Sequence, residues 1–146
     1  MSHQDIELIS SNAFARARAE LGGQFGRILG YFREDGEQSV AAVEKAFRAR
    51  SAVALVTPAH RLKGEAAQFG AYRLSAIAEE IEMFARRCIE SHESPEELIE
   101  TIVALRPCFA DTLAVLEQEP VPQPARRPTG FGRRVDPPVQ PFGRAT

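Results

Sequence analysis

An all-α fold is predicted by three observations on this sequence. Apolar residues recur at steps of three and four over long stretches, as on one face of a helix. Glu, Arg and Ala are abundant while Thr and Tyr are scarce, a bias toward helix over strand. Gly, Pro and Ser punctuate the gaps between the stretches. The chain has 146 residues, 44% of them hydrophobic, enough for one domain with a real core. With nine Phe, two Tyr and no Trp, that core is expected to be aliphatic and phenylalanine-rich.

Element by element, Ile6, Ile9, Phe14, Ala17 and Leu21 are spaced as a first helix, which Gly22-Gly23 stops. A second, long helix spans Gln24 to Arg50 on the stripe Phe25, Leu29, Phe32, Gly36, Val40, Val43 and Phe47. Gly36 is its weak point, at a cost of about 1 kcal/mol relative to alanine. Ser51 is placed as the N-cap of a third helix with the inward stripe Leu55, Ala59, Leu62, Ala66 and Phe69, closed by Gly70 at C′. Pro58 interrupts that stripe, so the helix either kinks near Ala54 or restarts with Thr57 as N-cap and Pro58 in the first position. Leu74, Ile77, Ala78, Ile81, Ala85 and Cys88 mark a fourth helix. Ser94-Pro95-Glu96-Glu97 reads as a capping box opening a fifth, which continues through Leu98, Ile102, Leu105, Phe109 and Leu113 or Leu116 and is expected to kink at Pro107.

Four amphipathic helices on short loops bury their stripes against one another, so the expected architecture is an antiparallel four-helix bundle with an additional N-terminal helix as a cap, over residues 1–119. From residue 120 to 146 the chain carries seven prolines and five arginines and is read as a disordered C-terminal tail. The charge divides along the same line. Residues 1–119 hold 13 basic and 19 acidic side chains, whereas the tail holds five arginines and one aspartate. An acidic helical part excludes nucleic acid as the expected partner. Cys88 and Cys108 fit neither a disulfide framework nor a zinc spacing and read as small buried residues. No stretch reaches membrane-spanning length and the N-terminus lacks a signal-peptide pattern, so no membrane contact and a cytoplasmic location are expected.

The chemistry concentrates at Ala59-His60-Arg61-Leu62-Lys63-Gly64. On a helical wheel His60 points about 140° from the inward stripe, toward solvent. Val53, Val56, Lys63, Gly64 and Ala67 share that outer face. A mid-helix glycine is costly, and access of another protein to the ring would explain it. Lys63 can bring a cation beside a phosphoryl group on the imidazole. A nucleophilic imidazole needs one nitrogen free while the other donates to an acceptor. Glu82, about 80° from the core direction of the fourth helix, is the candidate acceptor.

The segment from His60 to Ala71 resembles the signature of the histidine-containing phosphotransfer (HPt) domain family: His-x-Leu-Lys-Gly, a glycine ten residues after the histidine (Gly70), and then a leucine, matched by Leu74. Phe32-Arg33-Glu34-Asp35 is similar to the family's Phe-x-x-Asp run, and the likeness covers roughly residues 20–117. The resemblance implies that His60 is phosphorylated, that Lys63 lies beside it, that Gly64 gives the partner access and that Glu82 hydrogen-bonds the imidazole. Val56, Gly64, Ala67 and Gln68 are the expected partner-binding residues. It further implies a monomeric phosphocarrier between receiver domains of a hybrid histidine kinase and response regulators. No cofactor is expected on this chain, and Mg2+ is expected on the partner receiver. Pro58 and the proline-arginine tail depart from the family pattern.

Other readings compete. A helical adaptor would bind partners with His60 incidental. A sensor-kinase dimerisation domain usually has an acid after its histidine and a proline five on, where this chain has Arg61 and Glu65. There is no GxxxxGKS loop and no kinase glycine-rich loop, which argues against an ATP site. Cys88 and His92 could share a helix face, but two ligands are not a metal site. The repeats Gly130-Phe131-Gly132-Arg133 and Pro141-Phe142-Gly143-Arg144 are candidate docking motifs.

Overall fold

The computed structural model of the chain describes residues 3–118. The expectations placed on residues 120–146, disorder and Phe-Gly-Arg docking alike, lie outside the described residues. Five helices follow one another: α1 (Ser11–Leu21), α2 (Phe25–Arg48), α3 (Ala52–Gln68), α4 (Tyr72–Ser91) and α5 (Ile99–Gln118). Single 3-10 turns at His3–Asp5, Gly22–Gln24 and Glu96–Leu98 complete the order. The fold is the antiparallel four-helix bundle α2–α5 with α1 as the additional N-terminal helix, and no strand occurs among the described residues.

The predicted stripes form the core. Leu55, Ala59, Leu62, Ala66 and Phe69 from α3 and its end are buried together with Leu74, Ile77, Ala78, Ile81 and Ala85 of α4. A relay of phenylalanine rings runs from α1 to α5. Phe14 meets Phe25 at 5.7 Å, Phe25 meets Phe69 at 5.8 Å, Phe69 meets Phe32 at 5.2 Å and Phe32 meets Phe109 at 5.9 Å. These are the tilted and edge-on spacings that aromatic quadrupoles favour. Gly36 lies under the far end of this relay: a Cβ there would sit 2.5 Å from Phe109 Cε1. The glycine that weakens α2 locally is the one that lets α5 seat its phenylalanine. Arg106 of α5 ties the same two helices from outside, donating to Glu44 at 2.9 and 3.0 Å and to Glu37 at 3.0 Å.

Two expectations are corrected, on the first helix and the capping box, and one alternative left open at Pro58 is removed. The first helix starts at Ser11 and not near Ile6. Ser10 caps it, its hydroxyl accepting from the Ala13 N–H at 3.3 Å. The residues before Ser10 instead lie against the α3–α4 turn: the Ser10 N–H donates to the Gly70 carbonyl at 2.8 Å, and Arg73 donates from its backbone to Glu7 and from Nε to Ile6. Pro58 neither restarts nor ends α3, which runs unbroken from Ala52 to Gln68. Leu55, Ala59 and Leu62 are fully buried on both sides of it, so a new start would rotate the stripe out of the core. The capping box at Ser94 and Glu97 does not form. Pro95 and Leu98 are buried, the Leu98 N–H donates to the Pro95 carbonyl at 3.0 Å, and a 3-10 turn without a side-chain cap leads into α5. That helix continues without interruption through Pro107.

Candidate functional site

The site lies where the outer face of α3 meets α4. The α3 register is set before its chemistry begins: Ser51 accepts from the Ala54 N–H at 3.1 Å and caps the helix. At the other end Gly70 adopts φ 77°, and bonds from Ala71 N–H to Ala66 and from Gly70 N–H to Ala67 close a Schellman turn. This short turn brings α4 back beside α3, and the Ser75 hydroxyl fixes the pair by donating to the Lys63 carbonyl at 3.0 Å. With Ala59 and Leu62 in the core, the intervening His60 faces out, and 61% of its side chain is exposed.

Behind the ring stands Glu82, whose side chain is only 4% exposed. Its carboxylate receives three basic groups. His60 Nδ1 lies 3.2 Å from Oε1 and 3.1 Å from Oε2. Lys63 Nζ lies 3.0 Å from Oε1. Arg86 donates to Oε2 from Nε at 3.0 Å and from Nη2 at 2.8 Å. Burial alone would push this carboxyl upward, but the bonds from Arg86, Lys63 and His60 outweigh it and bring the pKa down to about 2. Glu82 is therefore an anion at neutral pH and can only accept. In the neutral ring that makes Nδ1 of His60 the donor and leaves Nε2 with a free lone pair.

The structure thus brings His60, Lys63 and Glu82 together at one carboxylate. The Lys63 ammonium is paired with Glu82 in the resting protein. Gly64 is exposed, and a Cβ added to it would meet no heavy atom within 4 Å. Ala67 and Gln68 are exposed on the same helix, while Val56 is half-buried and packs against the core. Val53, 70% exposed, extends the open face toward the start of α3. Arg86 was not anticipated. Its signal was present in the sequence as an arginine four residues after a glutamate, a pair that shares a helix face. The Cys88 and His92 pair does not make a metal site. Cys88 is buried with its thiol toward the Ser94 carbonyl at 3.6 Å, and His92 is the left-handed residue that ends α4. Among the described residues no three His, Cys, Asp or Glu side chains are grouped to hold a metal ion.

The family model described as Hpt domain matches residues 27–119, which include α3 and α4 entire. The chain belongs to the Hpt domain family. The Hpt fold here is similar to the crystal structure of histidine-containing phosphotransfer protein B from Pseudomonas aeruginosa PAO1. The TM-score is 0.67 at 25% sequence identity, over 78% of this chain and 95% of that one. No curated protein sequence matches the chain. As an Hpt domain the chain is a histidine phosphotransfer protein of two-component signalling. No described helix is long and apolar enough to cross a membrane.

Proposed function

We propose that the chain is a phosphocarrier whose His60 takes a phosphoryl group from the aspartate of one receiver domain and gives it to the aspartate of another. The observation that supports this most is an exposed His60 ring whose Nδ1 is held by the buried carboxylate of Glu82. The Nε2 lone pair attacks phosphorus in line, the P–N bond forms as the P–O bond to aspartate breaks, and the aspartate leaves as a carboxylate. The ring becomes a phosphoimidazolium that keeps its Nδ1 proton, and Glu82 stabilises the positive charge that develops. No proton has to leave in either direction, which suits a carrier that works both ways. Phosphoryl transfer depends on alignment and electrostatics more than on covalent chemistry from the protein. Lys63 is assigned to the phosphoryl oxygens and Gly64, with Ala67 and Gln68, to the surface on which the receiver docks. Half-buried Val56 is assigned to the same docking surface. The Mg2+ is assigned to the receiver, and the carrier is taken to act as a monomer. A hybrid histidine kinase is the proposed source of the group and a response regulator its destination.

The test is to load the purified chain from a phosphorylated receiver and repeat with His60→Gln. An acid-labile label is expected on the wild type and none on the variant. Label retained by the variant would move the phosphorylation site off His60 and leave the adaptor reading.

A further inference from the structure

We infer that Arg86 is a positioning residue that retains Glu82, so that Lys63 is free to move from Glu82 to a phosphoryl group on His60. This rests on the phosphocarrier reading above. The three basic groups on Glu82 are not equivalent. Arg86 binds one oxygen twice, through Nε and Nη2, from one turn along the same helix. Lys63 binds the other oxygen once, through a flexible stem from the neighbouring helix. If Lys63 alone neutralised the buried carboxylate, its departure would strand an uncompensated charge at 4% exposure. With Arg86 in place the carboxylate keeps a two-point partner, and the Nδ1–H bond of His60 is undisturbed while Lys63 exchanges one anion for another. The fork of a guanidinium is suited to holding and the point charge of an ammonium to exchanging. The charged groups gathered at His60 are Lys63 on its own helix and Glu82 and Arg86 on α4. Against a neutral ring, Glu82, Lys63 and Arg86 sum to a single positive charge, which a phosphoryl group would meet.

Two readouts test this on the full chain: the 15N NMR signals of the His60 ring, which need no phosphorylation, and the pH dependence of loading from a phosphorylated receiver. In the wild type the ring is expected as the Nδ1–H tautomer. In Arg86→Ala Glu82 keeps only Lys63 and His60 as partners, so its negative charge bears more on the ring, the acid limb of the loading profile moves to higher pH and loading falls about tenfold. Arg86→Lys restores the tautomer in part. Arg86→Ala with Glu82→Gln returns the acid limb toward its wild-type position, because the carboxylate charge is gone. An Arg86→Ala protein with wild-type ring signals and an unmoved acid limb overturns the inference, even if it is less stable. Failure of the phosphocarrier reading shows separately, as label that persists in His60→Gln.

Discussion

A helical glycine one turn past His60 lowers the stability of α3 by about 1 kcal/mol relative to alanine. A Cβ built at Gly64 nevertheless meets no heavy atom within 4 Å, so nothing inside the protein requires the glycine. The space it leaves is outside, beside the imidazole. Gly64→Ala is therefore expected to raise the unfolding free energy by about 1 kcal/mol, read from a urea melt. Receiver-dependent loading of His60 is expected to fall roughly tenfold, equivalent to about 1.4 kcal/mol of lost docking energy. A variant that is both more stable and equally fast would take the access role away from Gly64. The neighbouring side chains follow the opposite logic. Glu82, Lys63 and Arg86 gain from being brought together, because a carboxylate this buried is tolerated only with its oxygens occupied.

At the scale of the helix, the ends decide what the apolar stripes leave open. Among the described residues two non-glycine residues adopt the left-handed conformation, Arg50 after α2 and His92 after α4. At His92 the Glu93 N–H reaches back to the Cys88 carbonyl at 2.9 Å, so the turn is built and only its residue is unfavourable. His92→Gly is expected to stabilise by about 1 kcal/mol and raise the melting temperature by a few degrees, without affecting the site on α3. A lowered melting temperature would mean that the imidazole makes a contact worth more than the strain. The stripes of α2 through α5 were legible in the sequence because period and burial are one fact seen twice. The same wheel put His60 outside and Glu82 on the flank facing α3. What the sequence hid was non-local. The start of α1 depends on where Ile6 to Ser10 meets the α3–α4 turn, and Gly70 is needed there for a second reason: a Cβ would lie 2.8 Å from the Cβ of Ala13. Pro58 stayed ambiguous because the burial of Leu55 and Ala59 on either side, not local propensity, keeps the helix whole. Ser94 and Glu97 matched a capping box, but the burial of Pro95 and Leu98 set a different path. Arg86 went unseen because an i, i+4 pair looks the same whether its glutamate faces water or a histidine.

Across the whole molecule, two glutamates, Glu82 on α4 and Glu65 on α3, tie stability to pH in opposite directions. Glu82 has its pKa lowered from 4.5 to about 2. Its contribution is present above pH 4.5 and is lost as pH falls through about 2, since the unfolded chain binds the proton first. Glu65 is raised, because burial penalises its charge and Asp35 on α2 repels it, with Arg61 only partly offsetting both. One of its oxygens is buried without a hydrogen-bond partner. A raised carboxyl contributes stability when protonated, in acid, and loses it as pH climbs through the folded-state pKa. At neutral pH Glu65 is thus a charge the fold would shed, whereas Glu82 is one it holds. Melting temperatures measured from pH 7 down to about pH 2 should separate the two. Glu65→Gln is expected above wild type at neutral pH, with the gap closing in acid as the native glutamate takes up its proton. Glu82→Gln is expected below wild type at neutral pH, with its gap also closing, so that all three curves converge at the acid end. Parallel curves would mean that neither carboxyl changes its proton affinity on folding. If only the Glu82→Gln gap closes, the orphaned oxygen of Glu65 is hydrated in solution, and the mild acid-side gain disappears from the balance while the buried anion behind His60 stands.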